Sequence, residues 1–508
     1  MNLAELAEQN IETHGEYVTL IFEDREYTNV QMHEQSRRLA SGLKNLGIKP
    51  GDRVMVLMPN RPEVLISYPA VWRIGAVVMP LIFLLESHEI TYVAGDSEAV
   101  AIVTSPEFLP KIEEARETVP SLKHVIVIGD EDQPGTVSLG RLVEDSEPAD
   151  RIHPTDDDDM AVLLYTSGTT GRPKGVMLTH KNLHAQALMG QKTLPETDDL
   201  QTALSVLPLS HSYGLGVAVG GYISRSKGKS VLLSWFDLEA VFGSIEKYRV
   251  DNMAGVPTMF IYMLNYPEAD KYDVSSMKYW LVGAAPMPAQ RLQEFEEKFS
   301  GTMYVAYGLT EASPGVTAQR KAIPRKPGSV GRAFVGVDVK IFDENDKELP
   351  PGTVGEVVAR GDNIMKGYYK MPEETERTLH GGWLHTGDMG YLDEDGDLYL
   401  VERKRDLIIR GGFNIFPKDI EDVLYKHPAI SEAAAVGKPD DVMGEEVVAY
   451  VVLRPGARAT TDELVAHCQS NLAKYKCPRR IEFIDTMPKN PIGKIQKKEL
   501  RKMAAEQS

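Results

Sequence analysis

The segment Tyr165–Gly175, YTSGTTGRPKG, gathers more potential chemistry than any other stretch of the chain. Thr166 begins its polar run, and Ser167, Thr169 and Thr170 supply hydroxyl donors. Gly168 and Gly171 permit a tight turn that aims backbone N–H groups at an anion. Lys174 sets a positive charge beside that anion. These are the parts of a phosphate-binding loop. The spacing is not that of a Walker A loop, because Lys174 follows Pro173 and precedes Gly175, where that loop has Gly and Ser/Thr. A polar surface turn is the plain alternative for such a composition taken alone.

The other candidates are single residues in suggestive company. Thr310-Glu311 sets a hydroxyl beside a carboxylate. Mg²⁺ is a hard ion that takes one or two carboxylates plus phosphate oxygens, although a Thr-Glu pair also marks ordinary helix starts. Asp388 follows Gly387, where a carboxylate either accepts from two neighbouring hydroxyls or closes a turn. Lys494 lies in a loop bounded by Pro491 and Gly493, within a basic run that is otherwise read as solvated. His211 sits in LPLSHSYG, ahead of the apolar, glycine-rich stretch Gly214–Gly221.

The elements that must position these residues alternate. Short apolar runs at Arg53–Met58, Ala76–Pro80, Val100–Thr104, His124–Ile128, Met160–Leu164 and Ser230–Leu233 read as buried strands. Helical patterns, such as Val64–Gly75 and one opening near Thr179, lie between them. A largely parallel α/β sheet follows. From about Gly328 the pattern becomes antiparallel, with strands at Val337–Phe342, Gly355–Ala359 and Asp397–Val401. Near residue 404 it changes again. Asp419–His427 and Thr461–Leu472 read as helices, Ala433–Val436 and Val447–Leu453 as strands. The acidic run Asp156–Asp159 reads as a solvated loop.

The loop string as a whole resembles the signature of the adenylate-forming superfamily, which includes acyl-CoA synthetases. Further motifs follow in family order: Gly283-Ala284-Ala285-Pro286, Tyr307-Gly308-Leu309-Thr310-Glu311, Trp383–Asp388, Glu402–Gly412 and Pro491–Ile495. Together they span about residues 160 to 498. The resemblance implies an α/β fold: a large N-terminal domain of stacked α/β sheets plus a β region (1–403), a hinge (404–406) and a small mobile α+β domain (407–508). It implies that ATP, Mg²⁺ and coenzyme A are used to activate a carboxylic acid as its adenylate and then to thioesterify it.

Residue by residue, the resemblance makes Thr166, Ser167, Gly168, Thr169, Thr170 and Lys174 the phosphate loop. Gly283, Ala284, Ala285, Tyr307 and Gly308 border adenine, with Tyr307 either stacked on it or buried as core. Thr310 contacts the α-phosphate and Glu311 is the metal ligand. Asp388 and Arg403 hold the ribose. His211 borders the acid and thiol channel, Lys494 swings in as catalyst of adenylation, and Gly411 and Gly412 pass the pantetheine arm. Arg405 stands where many members have Asp or Lys at the hinge. Rival readings are an aryl acid–CoA ligase, an enzyme loading a carrier protein, and a non-catalytic nucleotide-binding regulator. Neither Ser212–Gly221 nor Val256–Thr258 holds an Arg, Lys or Asp. A second charge on the acid would therefore stay unpaired. A medium- or long-chain fatty acid is the first expectation, an aromatic acid the second.

Bulk properties narrow the field. At 508 residues two or more cores are expected. A net charge of -18 argues against nucleic acid, whose phosphates need a basic surface. Cys468 and Cys477 fit no CxxC pair or zinc spacing, so free thiols and a cytoplasmic setting are expected. No signal peptide, membrane span or peroxisomal tripeptide is read. Oligomeric state is open, a homodimer among the options.

Overall fold

The computed structural model describes the chain except residues 132, 167–172, 195–198, 404–405, 412, 441, 491–492 and 507–508, and the side chains of Arg403 and Asn414. Among the described residues a nine-stranded and an eight-stranded sheet form the large domain's body. The first has Thr302–Gly308, Tyr279–Val282, Asn252–Gly255, Thr202–Ser205, Lys229–Leu232 and Val18–Phe22 as parallel neighbours. The second runs parallel from Met160–Thr166 through Val77–Leu81, Arg53–Leu57 and Ala101–Thr104 to His124–Val127. It turns antiparallel where Lys174–Thr179 returns beside Met160–Thr166.

Strand periodicity explains the layering. In Arg53–Leu57, Val54 and Val56 face a core between the two sheets, while Met55 and Leu57 face a second core outside. Helices fill the space between the sheets, burying Leu39, Leu43, Trp72, Leu183 and Leu215. Trp72 donates its indole N–H to Ala161 O at 3.0 Å, so its polar edge is satisfied within that core. The helix read as opening near Thr179 is His180–Thr193. Thr179 caps it, its hydroxyl accepting from Asn182 N at 3.1 Å. Asp156–Asp159 is exposed.

From Asp338 the sheet is antiparallel: Asp338–Phe342, Gly355–Arg360, Trp383–Leu392 and Leu398–Arg403. A further sheet and two cores are built wholly from residues 408–504. Its centre is the hairpin Ile430–Asp440 and Gly444–Leu453, covered by helices Pro417–Tyr425, Thr461–Asn471 and Lys497–Glu506. The basic run near Lys494 is not simply solvated. The Lys497 ammonium is inserted between Glu402 at 2.9 Å and Glu421 at 3.0 Å. Burial opposes its charge, the two carboxylates outweigh that, and its pKa rises.

Three histidines, His180 buried and His33 and His211 half-buried, set an acid limit. His33, His180 and His211 are each lowered to about 4, burial being the largest cause in every case. The unfolded chain protonates them near 6.5, so between about 6.5 and 4 it binds more protons than the folded chain. Stability therefore falls as pH falls through this window, by about 1.4 kcal/mol per pH unit for each such group. His180 Nδ1 accepts from Leu3 N at 3.1 Å, a bond that protonation of Nδ1 abolishes. Urea midpoints measured from pH 7 to 5 are expected to drop, and less steeply in His180→Gln.

Candidate active site

The parallel strands end on one side, and ligands of open α/β sheets bind at such carboxyl ends. There a single cavity of about 2220 Å³ opens between the large domain and the 408–504 unit. Thr166, Lys174, His211, Gly283, Ala284, Ala285, Tyr307, Gly308, Thr310, Glu311, Asp388 and Lys494 all line it. Residues from six separate segments thus converge. Ser167, Gly168, Thr169, Thr170 and Gly412 lie outside the described residues, as do Lys404 and Arg405 of the expected hinge.

Thr166 ends the strand Met160–Thr166 and pairs in register with Lys174, which begins the returning strand. The Lys174 ammonium is nearly buried. It lies 5.1 Å from the centroid of the Tyr368 ring and pairs with the carboxylate of Glu374. The Tyr368 hydroxyl donates to Glu311 Oε1 at 2.8 Å, so one tyrosine links the lysine to the candidate metal ligand. Burial is the main cause that pushes the Tyr368 phenol upward, and it stays protonated as a donor.

Thr310 and Glu311 form a short turn after the strand Thr302–Gly308. Gly308 is required there, since a Cβ would stand 1.8 Å from Pro314 O. Buried Asn363 holds the turn, donating to Ala312 O at 2.9 Å and Gly315 O at 2.8 Å. The Thr310 hydroxyl lies 3.1 Å from that of Ser212. Ala284 adopts a left-handed φ of 68°, a costly conformation for a residue with a side chain.

Asp388 is buried and accepts from the Tyr307 hydroxyl at 2.7 Å. That phenol is therefore an orienting partner of Asp388, and its ring is largely buried. Asp388 stands directly opposite Arg403 in the ladder of Trp383–Leu392 and Leu398–Arg403. The two expected ribose contacts thus meet from adjacent strands, though the Arg403 side chain is outside the described residues.

His211 caps the helix Ser212–Tyr222, its Nδ1 accepting from Tyr213 N at 3.2 Å. With Nδ1 an acceptor, the neutral ring carries its proton on Nε2 and acts there as a donor. Burial first, and Lys494 second, lower its pKa to about 4. Lys494 therefore lies in the cavity near His211. Its loop is held by Asn490, whose Oδ1 accepts from Lys494 N at 2.8 Å, and by Thr258, whose hydroxyl donates to Gly493 O at 2.7 Å. Gly411 is not among the residues that line the cavity. It is exposed, with φ 57°, and its N–H donates to Met443 O at 2.7 Å.

Glu311 fits a magnesium ion: a hard carboxylate donor in the cavity wall, oriented by a phenol, beside a lysine suited to phosphate. Two other groups of candidate ligands occur among the described residues. Asp393, Asp395 and Asp397 already surround the Lys326 ammonium, two of them at 2.6 Å and the third at 3.4 Å. Asp346, His380 and His385 include two imidazoles stacked 3.6 Å apart and nearly parallel, so no single ion lies in both ring planes.

Sequence reasoning missed Asn363, Tyr368 and Glu374. Gly367-Tyr368-Tyr369 and Pro372-Glu373-Glu374 carry no spacing that points to phosphate, and only the fold brings them beside Lys174.

Stacked α/β sheets with such a cavity at the strand ends, closed by a smaller unit bearing a lysine loop, define a carboxylate-adenylating ligase. The family profile of the AMP-binding enzyme matches residues 7–369, and that of the AMP-binding enzyme C-terminal domain matches residues 419–494. The chain is 37% identical over 492 residues to a long-chain-fatty-acid–CoA ligase of Bacillus subtilis (strain 168), covering 91% of this chain and 87% of that one. It is 38% identical over 480 residues to a feruloyl-CoA synthase of Amycolatopsis sp, covering 94% and 93%. The anthranilate CoA ligase AuaEII in complex with anthranoyl-AMP superposes with a TM-score of 0.93 at 28% identity, covering 99% and 97%. The chain belongs to the AMP-binding enzyme family, as an AMP-forming acid–CoA ligase that uses ATP and coenzyme A. No described helix is long and apolar enough to cross a membrane.

Proposed function

We propose that the acid is a medium- or long-chain fatty acid whose tail lies in a furrow between helices His180–Thr193 and Ser212–Tyr222. The observation that carries this reading is a face of small residues on both helices. Ala187 and Gly190 on the first, and Gly216 and Gly220 on the second, line the cavity. A Cβ on Gly190 or Gly220 would meet nothing within 4 Å, so the space beside them is open. At Gly216 a Cβ would stand 2.9 Å from Pro314 Cδ, so the carboxylate end is tight. Tyr213, Val217 and Gly220 continue one line of cavity-facing positions on the second helix. It extends roughly 10 Å at 1.5 Å per residue. Leu194 and Val217 make it apolar, and it holds no ionic side chain.

In this reading Asp388 and Arg403 hold the ribose, Gly283–Ala285 and Tyr307–Gly308 border the base, and Thr310 contacts the α-phosphate. Thr166, Lys174 and the loop 167–172 hold the β- and γ-phosphates. A magnesium ion on Glu311 would neutralise phosphate charge. The acid's carboxylate oxygen attacks the α-phosphorus and the bond to pyrophosphate breaks, with Lys494 meeting the charge that develops. His211 Nε2 donates toward the acid. After a rotation about 404–406, with 1–403 and 407–508 as the two bodies, the thiol of coenzyme A loses its proton and its sulfur attacks the acyl carbonyl. AMP leaves, and Gly411 and Gly412 admit the pantetheine arm. We place the enzyme in the cytoplasm, where ATP and coenzyme A are at hand and Cys468 and Cys477 stay reduced.

A panel of acids with ATP and coenzyme A, read as thioester, tests the substrate. Each buried methylene contributes about 0.8 kcal/mol, roughly fourfold in kcat/KM. Gly220→Leu is expected to end this gain at a shorter chain while leaving the shortest acids near wild type. The aryl reading, which the feruloyl and anthranilate relatives favour, is correct instead if ferulate or benzoate outperforms every straight-chain acid and Gly220→Leu leaves the chain-length profile unchanged.

A further inference from the structure

The partner of Lys174 is unexpected for a lysine assigned to phosphate. Its side chain is 9% exposed and its ammonium is paired with Glu374 of the helix Pro372–Thr378. The second oxygen of the same carboxylate pairs with the Arg377 guanidinium. Lys174, Glu374 and Arg377 all line the large cavity. A single carboxylate thus sits between two cations in the wall where the proposed function puts the terminal phosphates. Glu311, the other acid nearby, is turned to the hydroxyl of Tyr368, while Lys174 lies over that ring. Two cations bridged by one oxyanion is also the arrangement that a phosphate group would impose on them.

We propose that Lys174 and Arg377 together form the subsite for the pyrophosphate end of ATP, and that Glu374 is an internal anion that occupies this subsite between turnovers. The inference rests on the reading of Lys174 as a phosphate ligand and adds two residues to it. When a triphosphate enters, the carboxylate must give up both cations or stand beside a polyanion of the same sign. Either way Glu374 opposes phosphate binding. It equally opposes retention of pyrophosphate once the α-phosphorus bond has broken, so it speeds release of that product. Glu374 is a positioning residue for the two cations and takes no part in bond making.

The test uses inorganic pyrophosphate as probe on the full chain at fixed magnesium, with affinity measured by calorimetry. Glu374→Gln keeps the side chain's shape and removes its charge. It is expected to bind pyrophosphate roughly tenfold more tightly, the scale of one like charge removed at a partly screened site. KM for ATP falls with it, and kcat falls as product release slows. AMP, which lacks the β- and γ-phosphates, binds with unchanged affinity. Glu374→Asp restores wild-type behaviour, and Glu374→Gln combined with Arg377→Ala loses the gain. The proposal is overturned if Glu374→Gln weakens or does not change pyrophosphate binding, or tightens AMP to the same degree. It is also overturned if the gain survives loss of Arg377. Failure of the underlying reading looks different: wild-type chain, Glu374→Gln and Glu374→Asp then all bind neither ATP nor pyrophosphate.

Discussion

Lys494→Ala is expected to slow adenylate formation by about 10²–10³ and to spare thioester formation from preformed acyl-adenylate. The ammonium meets charge that develops only as the α-phosphorus is attacked, an interaction worth roughly 3–4 kcal/mol in the transition state. In the structure Lys494 lines the cavity. Its loop is anchored to Thr258, and its charge is felt by half-buried His211. Around it the two parts of the chain are clasped. Buried Arg291 donates to Ile430 O, Glu294 accepts from Arg454 at 3.1 Å through both oxygens, and Lys489 donates to the Tyr262 hydroxyl at 3.2 Å. Gly411, the expected thioester-side residue, faces away beside Phe413, which is 58% exposed. If the two steps use different faces of the small domain, the half-reactions separate. Pyrophosphate release and thioester yield from supplied adenylate are the two readouts. Equal slowing of both would end the case for a lysine specific to one conformation.

Asp388→Ala is expected to weaken ATP binding by about 2–3 kcal/mol, the scale of hydrogen bonds to a charged group. It should slow both half-reactions, since the nucleotide is held through both. This contrasts with Lys494→Ala and makes the pair diagnostic. Asp388 is buried, and the Tyr307 hydroxyl at 2.7 Å fixes its orientation. Tyr307→Phe removes only the orienting bond and should cost about 1 kcal/mol. Wild-type ATP affinity in Asp388→Ala, measured by calorimetry, would refute the ribose role.

Much of this protein was legible in one dimension. Short apolar runs of four to seven residues bounded by turns became strands, because a buried strand needs little beyond β-branched side chains and an end. Arg53–Leu57, Ala101–Thr104 and His124–Val127 lie within a residue or two of where they were read. The helix opening near Thr179 was legible because its cap, Thr179 to Asn182, is a local bond. The motif residues were legible as a set because their order along the chain is a linear property. Their meeting was not. Lys174 and Glu374 are separated by 200 positions, Tyr307 and Asp388 by 81. Such contacts are settled by how two sheets stack, and no local spacing encodes that.

Sequence by itself determined the family, the α/β class and the chemical types gathered for nucleotide and acid. Tertiary structure alone decided which partner each of those groups has. The phenol of Tyr307 found Asp388, because burial of a hydroxyl requires a partner and the carboxylate is beside it. Lys497, read as part of a basic surface run, became an inserted cation between Glu402 and Glu421, because two neighbouring half-buried carboxylates are stabilised by a charge between them. Glycines at 190 and 220 look alike in sequence to the glycine at 216. Only packing distinguishes open furrow from tight contact, since a missing Cβ matters according to what stands within 4 Å of it.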